Sequence, residues 1–298
     1  MVLAMLALGM ASCVKDIEFE GEKTDPLLVV NGVQQVGRPA SLCIEKSVFF
    51  QDSQTDCRVK DLQVDLYVNG SFKESLQVRD SIDYDYVFNY CEGQYVLCEG
   101  DRLQFEVRSS EFATATAEVT LPEAPSVLSF NVVNVNMLLG SVELEFTIDD
   151  PVGADYYNLA FYNPTEDQYS FYSDDPVFTD PMGMDADELI GESSDYYGDG
   201  IYNVFTDTYF DGGTYTVRFS FYFWDLEFTE PFAIEVSRVD EHLYRYKKTF
   251  DAYQESDMNS LLAMFTEPVQ VYTNVENAIG VVCGQSRPVI MSIDRTNK

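Results

Sequence analysis

Apolar and polar residues alternate with period two along most of this chain. Leu62, Val64, Leu66 and Val68 interleave with Gln63, Asp65, Tyr67 and Asn69, which predicts a strand with one buried face. Leu103, Phe105 and Val107 repeat the pattern, and Thr114, Thr116, Val119 and Thr120 add β-branched residues suited to another strand. Further on, Val142, Leu144, Phe146 and Ile148 alternate with Glu143, Glu145 and Thr147. Tyr156 to Tyr162 reads as one more strand, as do Tyr215 to Phe223 and Phe232 to Val236. Leu27 to Val30 predicts a short apolar strand ended by Asn31-Gly32, and Asn69-Gly70 predicts a two-residue hairpin.

Helical periodicity is expected once, at about 240–255. Asp240 is placed as its cap and Val239 and Tyr244 as a hydrophobic staple, while Leu243, Tyr246, Phe250 and Tyr253 form one stripe. The chain therefore predicts an all-β protein of two β-sandwich domains. The first, 24–121, is expected to be immunoglobulin-like. Pro122 and Pro125 interrupt any ladder and place the boundary. The second sandwich, 127–298, carries the helix near its C-terminal end, and the Asp-, Gly- and Tyr-rich stretch from Asp174 to Gly213 reads as long loops.

The start of the chain departs from this pattern. Residues 1–12 are apolar and uncharged, too short to span a bilayer but of signal-peptide length. Met10-Ala11-Ser12-Cys13 resembles a lipobox, with small residues at the cleavage point and a Cys13 thiol for acylation, although no Lys or Arg precedes the run. Residues 13–23 then form a polar tether. An exported chain permits disulfides. Cys43, Cys57, Cys91 and Cys98 allow three connectivities, of which Cys91–Cys98 as a hairpin clip with Cys43–Cys57 is favoured; Cys283 is left over for packing.

Charge excludes several functions. There are 51 acidic against 18 basic residues, a net charge of -33, so nucleic acid and anionic lipid are repelled. The single histidine, His242, excludes a multi-histidine metal site and is expected on exposed helix surface. Cofactors are expected to be none, with Ca²⁺ the one candidate: Asp149, Asp150 and Asp155, or Asp195, Asp199, Asp207 and Asp211, offer oxygen ligands without EF-hand spacing. Tyr156, Tyr157, Tyr196 and Tyr197 form a cluster that suits stacking on a sugar or peptide.

The segment Glu267-Pro268-Val269-Gln270-Val271-Tyr272-Thr273-Asn274-Val275-Glu276-Asn277-Ala278-Ile279-Gly280-Val281 reads as a strand followed by a turn. Its Asn274, Glu276 and Asn277 are a candidate ligand turn, with a purely structural role the favoured alternative. The segment resembles the closing motif of a Bacteroidota lipoprotein family, domain of unknown function 4249. The opening from Leu27 to Gly32 and the acidic, Tyr-bearing helix from Val239 to Glu255 match that family too, whereas Ala278 stands where it usually has Gly. The resemblance implies an outer-membrane lipoprotein, often encoded near TonB-dependent transporters, with no catalytic residues to carry over, and the Lys15-Asp16 stretch after Cys13 resembles the lysine-plus-acid signal that sends Bacteroidota lipoproteins to the cell surface. The function expected is thus a non-catalytic binding or accessory module held to the membrane by its lipid anchor and partnered with such a transporter. A structural or adhesive surface protein is the alternative, and a carboxylate-dependent hydrolase a more distant one.

Overall fold

A computed structural model describes residues 24–293 apart from 50–51, 53–54, 85, 137–139, 163–168, 174, 179–202, 224–231 and 259–268. The signal segment, Cys13, the tether, Asp195, Tyr196, Tyr197, Asp199, Glu267 and Pro268 lie outside the described residues. Among those described there are 17 strands and one α-helix, so the chain is all-β and sandwich-like, as its alternation predicts.

One long sheet organises the molecule. Its strands run, in spatial order, β13 (Asn203–Thr206), β11 (Tyr156–Tyr162), β15 (Phe232–Val239), β16 (Val282–Gln285), β1 (Leu28–Gln35), β2 (Pro39–Lys46), β6 (Tyr86–Val96) and β5 (Gln77–Asp83), with β17 (Val289–Ile293) also paired to β15. Two four-stranded sheets pack against it. The first is β4 (Ser71–Ser75), β3 (Gln63–Val68), β7 (Arg102–Arg108) and β8 (Ala115–Thr120). The second is β12 (Tyr169–Tyr172), β14 (Thr214–Phe223), β10 (Ser141–Asp149) and β9 (Ser126–Asn136).

Strand alternation fills two cores. Val30, Leu42 and Ile44 of the long sheet meet Val64, Leu66 and Phe105 of the first short one. Tyr157, Leu159, Ile234 and Val236 meet Leu144, Phe146, Ile148 and Phe219 of the second. Each fully buried aliphatic or aromatic side chain here contributes about 1.5–3 kcal/mol. Helix α1 (Glu241–Met258) covers the junction. The Asp240 carboxylate accepts the Leu243 N–H at 2.9 Å, the predicted cap, and Val239 and Tyr244 are both buried.

The junction strand β16 faces both ways. Val282 belongs to the first core, whereas its neighbours Val281 and Cys283 pack with Val239 and Leu243 beneath the helix. β16 runs parallel to β1, with Gly32 opposite Val282 and Val33 opposite Cys283. Just upstream, Val30 N–H donates to Ile279 O, Ile279 N–H to Leu28 O and Gly32 N–H to Val281 O, each at 2.9 Å. Asn31 completes the seam by accepting the Val281 N–H on its side-chain oxygen at 3.0 Å.

Three sequence expectations change as a result. Asn31-Gly32 is not a turn: β1 continues through it, and Gly32 is required because a Cβ there would lie 2.6 Å from Ser41 O. The second unit does not keep everything from 127 onward: Val275 and Val282 return to fill the first core. Within the stretch read as loops, Asn203–Thr206 forms β13 and pairs with β11. The Asn69-Gly70 hairpin appears as predicted, with φ of 52° and 78°.

Gly280 is the point where this closure tolerates least. Its φ is +114°, and an added Cβ would stand 2.3 Å from Val30 O. Gly280→Ala is therefore expected to destabilise the protein by about 2–4 kcal/mol. Urea unfolding followed by far-ultraviolet circular dichroism measures this; an unchanged midpoint would show that the seam is loose.

Candidate functional site

The residues of the candidate ligand turn hydrogen-bond within the fold. Asn274 donates its side-chain N–H to Val282 O at 2.7 Å and accepts the Val282 N–H at 2.9 Å, acting as a substitute strand partner. Glu276 forms an isolated antiparallel bridge with Thr116 of β8, and its carboxylate accepts the Thr116 hydroxyl at 3.0 Å. Asn277, at φ 59°, donates to Thr114 O at 3.1 Å. These polar groups fasten the C-terminal segment to both sheets of the first sandwich. Ala278 adds its methyl group to the first core. Nearby, His242 is not exposed helix surface. Its ring is half-buried, stacks on Tyr272 and shares a 2.9 Å hydrogen bond with the Tyr272 hydroxyl, and burial lowers its pKa.

The acidic residues regroup in an unexpected combination. Asp150, from the first set proposed for calcium, joins Asp207 and Asp211 from the second, with ligand oxygens within 4.8 Å of one another. Asp149 instead accepts the Thr214 hydroxyl at 3.3 Å. Loop backbones hold the cluster together: Gly212 N–H donates to Asp150 at 3.0 Å, Asp155 N–H to Asp207 at 3.0 Å and Gly153 N–H to Asp211 at 2.9 Å. The Tyr157 hydroxyl donates to Asp150, and Arg238 pairs with Asp155. Burial pushes the Asp207 carboxyl up to about 6, with Asp150 and Asp155 adding repulsion. An all-oxygen donor set of this kind suits a hard cation such as Ca²⁺. The same carboxylates, hydrogen-bonded as they are, also tie the loops around β10, β11 and β13 to each other.

Tyr156 and Tyr157 do not form a stacking platform. Tyr157 is buried in the second core, stacked on Phe205 with ring centroids 5.3 Å apart, and Tyr156 packs on Tyr244 at 5.0 Å. Arg238 was missed by sequence reasoning. The one signal for it is a basic residue inside the apolar run Phe232–Val239 of an otherwise acidic chain.

The candidate disulfides are replaced by free thiols at Cys43, Cys57, Cys91 and Cys98. Glu92-Gly93-Gln94 is not a hairpin but lies inside β6, so Cys91 and Cys98 sit along one extended run. Five strand residues cover about 17 Å, beyond the roughly 7 Å Cα separation that a disulfide spans. Cys91 is fully buried, which pushes its thiol up to about 12, whereas Cys98 is exposed past the strand end. Cys43 and Cys57 both feel the charge of Glu45, which stands beside each of them. Cys283 is buried beneath the helix, the packing role expected of it.

Asp240 generates a pH prediction. Burial pushes its carboxyl up to about 7 against the opposing pull of the Leu243, Gly284 and His242 N–H groups. The folded state therefore holds this proton more tightly than the unfolded chain. Stability from this group is full below the ordinary carboxylate range and is lost as pH rises through about 7. Asp240→Asn keeps a capping oxygen and removes the titration. The variant is expected to gain on the parent progressively between about pH 5 and 8, by at most about 4 kcal/mol. Thermal melts across that range check it; parallel profiles would contradict it.

Comparison with known proteins places the chain without giving it a reaction. No curated protein matches it. A family model, domain of unknown function (DUF4249), matches residues 14–288, a span that holds both sandwiches, the helix and the seam between β1 and β16. The chain belongs to this family of unknown function.

Proposed function

We propose that this protein is an outer-membrane lipoprotein of Bacteroidota type, anchored by acyl chains on Cys13, exposed at the cell surface and acting as a non-catalytic binding or accessory module beside a TonB-dependent nutrient transporter. The observation that carries the reading is how the two family-typical segments are used. Leu28 to Gly32 and Thr273 to Val281 spend their polar groups on each other and on Thr114 and Thr116. What these segments build is a frame, which leaves recognition to the surfaces mounted on it.

The anchor rests on Met10-Ala11-Ser12-Cys13 and on a polar tether leading to β1. The family match begins at residue 14, immediately after the acylation point. A net charge of -33 disfavours adsorption to anionic lipid, and a covalent anchor would supply the attachment that charge does not. Cleavage before Cys13 frees an α-amino group beside the thiol, and more than one acyl chain is what stable anchoring needs.

Two measurements on the native host test this. Mass spectrometry of the purified protein is expected to show a chain starting at an acylated Cys13, with Cys13→Ser unacylated, its leader retained, and absent from the outer-membrane fraction. Affinity capture of a tagged copy from detergent-solubilised membranes is expected to bring down a TonB-dependent transporter. An intact leader with a bare thiol would overturn the anchor, and a transporter-free capture would overturn the partnership.

A further inference from the structure

Strand β2 turns Leu42 and Ile44 into the first core and therefore Cys43 and Glu45 onto the opposite face of the long sheet. β6 runs beside it with Tyr90 opposite Cys43 and Asn89 opposite Ile44. The β5–β6 hairpin places Phe88 opposite Ser81 and Tyr86 opposite Asp83. The segment after β2 then returns over this face: Cys57 O accepts the Lys46 N–H at 2.9 Å, and Cys57 N–H donates to Val87 O at 2.8 Å. The four parts enclose an open depression of about 580 Å³, lined by Cys43, Glu45, Cys57, Tyr84, Tyr86 and Phe88 among others. That volume lies in the range of small-ligand sites.

Two features of the depression ask for a positive ligand. Glu45 is half-buried, its carboxyl is raised by burial, and among the described residues no ion pair reaches it. Burial, and then the charge of Glu45, raises the pKa of both thiols beside it. Lys46 also lines the rim, but its charge bears on Asp56 and Cys57. A carboxylate drawn out of water without a counter-ion is a cost that a bound cation removes. Tyr84, meanwhile, is 94% exposed and held at φ 50°, a backbone state that residues with a side chain rarely adopt. The hairpin thus presents an aromatic ring at the lip of the depression, with Asp83 and Tyr86 beside it. Aromatic faces attract cations, most strongly when water is displaced.

We propose that this depression binds an organic cation, with an ammonium or guanidinium head at Glu45 and the rings of Tyr84, Tyr86 and Phe88 around its stem. The inference rests on the reading of the chain as a binding module and names the ligand class. It stands or fails separately from the anchor and transporter experiments, which do not involve this surface.

Calorimetric titration of the full chain in detergent tests it with three probes whose α-amines are all blocked by acetylation: arginine amide, its neutral isostere citrulline amide, and an end-blocked Gly-Arg-Gly peptide. Arginine amide is expected to bind and citrulline amide not to. A peptide that binds more tightly than the amide assigns the cation to a protein segment, and equal binding assigns it to a free solute. Glu45→Gln is expected to weaken binding by about tenfold or more. Tyr84→Ala, at a solvent-exposed ring whose loss leaves folding intact, weakens it several-fold, whereas Glu143→Gln, at an exposed position of β10, does not. Bound arginine amide also slows iodoacetamide modification of Cys43 and leaves exposed Cys98 unaffected. Absence of binding at millimolar concentration, equal binding of the neutral isostere, or full binding by both Glu45→Gln and Tyr84→Ala would overturn the proposal.

Discussion

Strand β16 lies parallel to β1, and the hydrogen bond from Val281 to Asn31 closes a loop of 250 residues. Bringing two points that far apart into register costs about 5 kcal/mol of chain entropy from its length dependence alone. What offsets it is concentrated in a few residues. Backbone bonds run between Leu28–Val36 and Ile279–Gln285, Val275 and Val282 enter the first core, and Asn274 and Asn31 satisfy backbone groups that a regular ladder would leave open. The long sheet then passes without interruption from one sandwich to the other, because β16 also meets β15 at the Val239–Gln285 pair. The two halves share a layer, and the helix covers the place where they join.

How much of this was legible in the sequence depended on distance along the chain. The Asn69-Gly70 hairpin and the Asp240 cap are local, set by residues within a turn of each other, and both were readable. Asn31-Gly32 has the same composition as a turn but serves a contact 250 residues away, so its local reading failed. β16 has four residues, one of them Gly284, and no period in so short a run marks it as the strand that links two cores. The cysteines failed for a related reason. Close spacing at Cys91 and Cys98 suggested a clip, whereas the intervening residues extend within β6.

The surface clusters show the same limit. The sequence offered two sets of aspartates, and the fold combined members of each, because the loops around β10, β11 and β13 meet at one end of the second sandwich. Nothing in the spacing of Asp150 and Asp207 announces that meeting. Glu45 and Tyr84 were invisible for a different reason: a single carboxylate among 51 acidic residues and a single tyrosine among 20 carry no pattern. Their significance comes from what surrounds them, namely a half-buried charge that no ion pair reaches among the described residues and a ring held out to solvent by a strained backbone.

Hydrogen exchange on the intact protein tests the shared-frame account most directly. The account predicts that amides of Val30, Gly32, Val281 and Val282 exchange as slowly as those of Leu42 and Ile44 in the first core, through the same global opening. Exchange of residues 279–285 at the rate of a fraying terminus, with β1 and β2 still protected, would contradict it.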